Sequence, residues 1–98
     1  MPKENPIHSR SLVVRSSEPV ENRVDGDIVL MSVKRGKYFG LDAVSSRIWE
    51  LLSKPVIVAD LFSELEQEYE VEPKQCEHET LEFLNKLYEE KLILIVDE

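Results

Sequence analysis

The sequence predicts an α+β fold, a short three-stranded antiparallel sheet followed by three helices, and three observations lead there. Residues 12–41 fall into short alternating or apolar runs separated by Asp25-Gly26 and Gly36. From Asp42 onward the apolar spacing changes from the period of two of a strand to the period of about 3.6 of a helix. Proline then punctuates the helical part at Pro55 and Pro73.

The elements follow in chain order. Met1 to Ser11 is polar, holds Pro2 and Pro6 and has neither apolar period, so residues 1–11 are expected to be a mobile tail ahead of one domain over 12–98. Leu12 to Arg15, "LVVR", suits a short strand. "PVENRV" alternates Val20, Asn22 and Val24 against Glu21 and Arg23 and runs into Asp25-Gly26, a pair that tolerates positive φ and so marks a two-residue hairpin. The second arm, "DIVLMSV", is apolar on both faces and is expected to be the middle strand, covered above and below. "KRG" makes a three-residue turn with Gly36 left-handed, and "KYFGL", Lys37 to Leu41, is the third strand of the meander.

Asp42 is placed to cap a first helix whose Val44, Ile48, Leu51 and Leu52 share a face, with Trp49 at its margin and Pro55 beyond its end. A second helix begins near Val58 and sets Val58, Leu61, Phe62, Leu65 and Tyr69 on one stripe. A third starts at Pro73, a residue suited to a first turn, and runs through "KQCEHETLEFLNKLYEEK". "LILIV", Leu92 to Val96, is extended. The order is winged-helix-like, and it leaves the third strand of the meander as an edge with open backbone donors and acceptors.

Composition excludes several functions. A chain of 98 residues builds one modest core and no cleft between domains. Twenty acidic residues against 12 basic give a net charge of −8, which repels nucleic acid and anionic lipid. The apolar "LILIV" is far short of the roughly 20 residues that cross a membrane. The single cysteine, Cys76, cannot form an internal disulfide, and a reducing cytoplasm is the expected location.

Chemistry is hard to find. Cys76 and His78 are two apart on a helix and point to different sides, so they share no metal ion. Cys76 sits beside Glu77 and Glu79, a poor setting for a thiolate nucleophile. The many carboxylates have the spacing of solvated helix faces, and neither a phosphate loop nor a nucleophile elbow is present. Neither catalysis nor a cofactor is expected. A DNA-binding regulator is the alternative that the element order allows, against an acidic third helix.

The unusual feature is the width of the third helix's apolar arc. At about 100° per residue, Cys76, Thr80, Phe83 and Leu87 make a core stripe, and Leu81, Leu84 and Tyr88 extend it by roughly another 100°. Something beyond the main core should touch those three. Either "LILIV" folds back over them, or they form one wall of a groove whose other side is the open edge strand, a place for an extended peptide.

Over Val13 to Val96 the sequence resembles the PqqD-like family, the RiPP recognition elements that bind leader peptides of ribosomally made, post-translationally modified peptides. "DGDIVLMSVKRGKYFGLDAVSSRIWELL", "VADLFSELEQEYEVEPKQC" and "LEFLNKLYEEKLI" carry the resemblance through their order and spacing. Within it, the chain looks most like the freestanding leader-binding proteins of lasso-peptide clusters. The resemblance implies a leader strand added beside Lys37, Tyr38, Phe39, Gly40 and Leu41, a helical wall including Leu81, Leu84 and Tyr88, and a separate leader peptidase and cyclase as partners. One departure is Ile57-Val58 at the start of the second helix, where such proteins often have a Ser or Thr cap worth about 1 kcal/mol.

Overall fold

The computed structural model describes residues 6–96 and contains two three-stranded antiparallel sheets and three helices. The elements are β1 (Leu12–Arg15), β2 (Val20–Val24), β3 (Asp27–Ser32), β4 (Lys37–Leu41), α1 (Ala43–Leu51), β5 (Val56–Ile57), α2 (Val58–Glu68), α3 (Pro73–Glu89) and β6 (Ile93–Ile95).

The meander is the sheet β2-β3-β4, with β3 in the middle as expected. Asp25 and Gly26, at φ 53° and 90°, make the β2–β3 turn. The β3–β4 loop is longer than the expected three residues. Ser32 pairs with Lys37, so Val33 to Gly36 all lie in the turn, which Gly36 closes at φ 65° with its N–H on the Ser32 carbonyl. The second face of β3 also differs from expectation. Ile28, Leu30 and Ser32 are buried on the inner side, but Val29 and Met31 are only half-buried, because no layer of the described chain covers the outer face.

The expected single sheet is two. β1 pairs with β5 on one side and β6 on the other, so that Val13 lies opposite both Val56 and Ile95. β6 reaches β1 because Lys91 turns left-handed (φ 63°) after α3 and Leu92 donates its N–H to the Leu87 carbonyl, an arrangement that ends a helix sharply. "LILIV" therefore returns along β1.

The N-terminal segment corrects the expected tail. Residues 1–5 lie outside the described residues, but Ile7 is buried in the core, and Asn85 of α3 holds its backbone from both sides: Ile7 N–H donates to Oδ1 (3.0 Å) and Nδ2 donates to the Ile7 carbonyl (3.2 Å). The Ser11 and Ser9 carbonyls accept from Val58 and Ala59 N–H at 3.0 and 2.9 Å. These are two of the free donors at the start of α2. The arm thus does what the missing side-chain cap at Ile57 would have done.

One core joins these parts: Ile28, Leu30 and Leu41 of the meander, Ile48, Trp49 and Leu52 from α1 and its end, Val58, Leu61, Phe62 and Leu65 of α2, and Leu84 and Leu87 of α3. Trp49, expected at the margin, is buried and donates from Nε1 to Glu21 at 2.9 Å. Val44 is exposed instead. Ser46 fastens α1 to the sheet, accepting from Ile28 N–H (3.0 Å) and donating to the Leu41 carbonyl (3.1 Å).

Candidate functional site

β4 has β3 on one side and, among the described residues, no strand on the other, so its outer row of backbone groups is open. Phe39 and Leu41 turn inward toward the core, whereas Tyr38, 72% exposed, and Gly40 lie on the outer face. A Cβ built on Gly40 meets nothing within 4 Å. β2 is also an edge. The difference between the two edges is what lies at the end of the strand.

Where β4 ends, Asp42 caps α1 by accepting from Ser45 N–H (2.9 Å), and beside it a concavity of about 440 Å³ opens between the start of α1, the α2–α3 connection and α3. Ile48, Cys76, Thr80 and Phe83 give it an apolar lining, with Val44 and Val71 exposed at its edge. Its charged residues are Asp42, Glu70, Glu72 and Glu79, with no Lys or Arg. Glu72 caps α3 by accepting from Gln75 N–H at 2.7 Å, and Pro73 follows in the first turn. At the other end of β4, Arg35 and Lys37 both bond Glu90, which follows the last residue of α3, at 2.8 and 3.4 Å, and this holds the hairpin against the end of that helix. Burial pushes the Glu90 carboxyl up, but these two hydrogen bonds and the positive charges of Arg35 and Lys37 together outweigh it and leave it below the ordinary value.

The expected site residues divide. Lys37 to Leu41 form the open edge strand. The helical residues do not line the concavity. Leu84 is fully buried at the centre of α3's inward face. Thr80, Leu87, Cys76 and Phe83 lie on one flank of it, and Tyr88, Leu81 and Asn85 on the other, as the 100° step requires. Only the first flank meets the concavity. The second carries the Asn85–Ile7 clamp, and Leu81 shares a smaller concavity of about 260 Å³ there with His78, Glu82, Asn85 and Glu89. Sequence reasoning took Cys76, Thr80 and Phe83 for core; the half-burial of Cys76 and Phe83 is the sign that it cannot give. It missed Val71 and Glu70, whose only signal is their place just before the Pro73 start of α3.

Burial is the main influence raising the Cys76 thiol, and Glu66, Glu77 and Glu79 add to it, so it stays protonated and unreactive near neutrality. Among the described residues no group of three His, Cys, Asp or Glu is placed to hold a metal ion, and no helix is long and apolar enough to cross a membrane.

An open strand edge ending beside an apolar concavity is a geometry for binding an extended peptide. Residues 27–93 match the family model of coenzyme PQQ synthesis protein D, PqqD, and the chain belongs to that family. A solved structure described as TbiB1 in complex with the TbiA(beta) leader peptide is similar, with 32% sequence identity and a TM-score of 0.76, the match covering 87% of this chain and 99% of that one. A search of curated proteins gave no match.

Proposed function

We propose that this chain is a non-catalytic recognition protein for the leader segment of a ribosomally made precursor peptide. The leader adds as a strand on β4, from Lys37 to Leu41, and sets an apolar side chain into the concavity lined by Ile48, Cys76, Thr80 and Phe83. Captured in this way, the precursor is delivered to a leader peptidase and a cyclase of lasso-peptide biosynthesis, whose substrate concentration is effectively raised. The reading places the protein in the cytoplasm, where Cys76 stays reduced.

The observation that carries it is the coincidence of an open edge with a likeness, over 87% of the chain, to a protein solved with a leader peptide bound. Phe39 and Gly40 supply the test. Fluorescein-labelled TbiA(beta) leader peptide, titrated with the full chain, should bind with modest salt dependence, and Phe39→Pro or Gly40→Pro should weaken it tenfold or more while the helical circular dichroism persists. Proline removes a strand donor and distorts the edge. Tight binding to a labelled DNA duplex, lost by orders of magnitude between about 50 and 200 mM salt, would instead make the protein a winged-helix regulator.

A further inference from the structure

We infer that the concavity at the Leu41 end of β4 selects a leader carrying Lys or Arg next to the apolar residue that fills it. The inference rests on the leader-binding reading and adds a chemical requirement to the ligand.

The first support is local charge. All the ionisable side chains on the concavity are acidic apart from the neutral thiol: Asp42 from the end of β4, Glu70 and Glu72 from the α2–α3 connection, and Glu79 from α3. They come from three separate elements around an apolar lining, so a side chain entering there meets negative charge from several directions. Two are engaged within the fold as acceptors from backbone N–H groups, Asp42 from Ser45 and Glu72 from Gln75. Glu79 accepts only a neutral amide, Gln75 Nε2 at 3.1 Å. Among the described residues none of the four is in an ion pair, in contrast with Glu50, Glu68 and Glu90.

The second support is the contrast with the opposite end of the hairpin. A concavity of about 510 Å³ there includes Lys34, Arg35 and Lys91 along with Glu18 and Glu90. Both of those carboxylates are already satisfied, Glu18 by Ser32 and the Lys34 N–H and Glu90 by Arg35 and Lys37. The acidity of the first concavity is therefore a property of that place, beyond the chain's net charge of −8. A peptide laid along β4 would have its cationic residue near Leu41 and away from Lys37. Charges at the rim of such a site act on selection and encounter more than on the strength of the apolar anchor.

The test separates this inference from the reading beneath it. An mRNA-displayed library of random 20-residue peptides is selected on the immobilised full chain at about 50 mM salt, and in parallel on Glu70→Gln/Glu79→Gln, which leaves both helix caps intact. Enriched wild-type binders should carry Lys or Arg within two residues of an apolar anchor, and the double variant should lose that bias. A synthetic binder from the wild-type pool should bind the double variant at least fivefold more weakly. Replacing its basic residue by norleucine should weaken binding to the wild type by as much and bind both proteins alike. Binders that show no basic preference, or keep it with the double variant, overturn the inference and leave the leader-binding reading standing. Failure of both proteins to enrich any peptide that competes with TbiA(beta) leader, while circular dichroism shows them folded, overturns both.

Discussion

The two flanks of α3 start from similar material and end in opposite states. On one, the chain packs its own Ile7 beside α3, its backbone tied to Asn85 by two hydrogen bonds, while the neighbouring Leu81 and Tyr88 are half-buried. On the other, Cys76, Thr80 and Phe83 face a concavity that no described segment enters. A broad apolar arc on a helix announces that something packs beside it, and does not say whether that something belongs to the same chain. Here the internal occupant is a short segment whose backbone is bound by a side-chain amide. The external occupant proposed above is likewise an extended segment, bound through its backbone.

The largest expected effect lies on the boundary between the flanks. Leu84 is fully buried among both, so Leu84→Ala should cost about 2 to 5 kcal/mol of stability by leaving a cavity. Leader affinity per folded molecule should stay nearly unchanged. Urea unfolding and fluorescence polarisation on one preparation measure both. A large affinity loss with little destabilisation would return Leu84 to the groove wall that the sequence suggested.

Next come the flanks themselves, compared by one substitution on each. Asn85→Ala leaves the buried Ile7 N–H and carbonyl without partners and should cost about 1 to 3 kcal/mol of stability with no change in affinity. Phe83→Ala should do the reverse, weakening leader binding by about 1 to 3 kcal/mol, the usual range for an anchor residue. Because Phe83 is only half-buried, its stability loss should be smaller than that of Leu84→Ala. Equal behaviour of the two variants in both measurements would remove the distinction between a filled and an open flank.

What was legible in the sequence follows the range of the interactions. The turn at Asp25-Gly26, the Asp42 cap, Val58, Leu61, Phe62 and Leu65 of the α2 stripe and the Pro73 start of α3 are set by neighbours within a few residues and stand where the spacing put them, whereas Tyr69, expected to end that stripe, is extended just past α2. The sheet β5-β1-β6 joins Leu12 to Ile57 and Arg15 to Ile93, pairings of two and three residues across long separations that no period reveals. Ile7 was invisible for a related reason: one apolar residue between polar ones has no pattern, and only the distant Asn85 explains it. The geometry on which the proposed site rests was legible in part. The edge strand could be read because β4 is the last strand of a meander. Which flank of α3 borders the concavity could not be read, since a periodic arc gives an angle but no direction until a neighbour defines one.

The smallest expected effect concerns acid, and it too separates the sides. Arg47 of α1 grips Glu68 with two bonds of 2.8 Å, and Arg23 of β2 bonds Glu50 of α1. Glu68 ends α2 just before Glu70 and Val71, so this pair steadies the connection that borders the open concavity. Hydrogen bonds from Arg47 hold the Glu68 carboxyl below its ordinary value against the opposing effect of burial, and Arg23 does the same for Glu50. A carboxyl whose pKa is lower folded than unfolded binds fewer protons in the native state. Its contribution is fully present above the unfolded value near 4.5 and is lost as pH falls through the folded one. Stability in urea should therefore decline as pH falls below about 4.5, modestly, because these groups are largely solvated and screened. Arg47→Met should flatten part of that decline, and the backbone amide resonance of Val71 should shift more between the two proteins than that of Ile7, which Asn85 holds without any titrating group. An unchanged acid response in Arg47→Met would mean that the connection beside the concavity is held by packing alone.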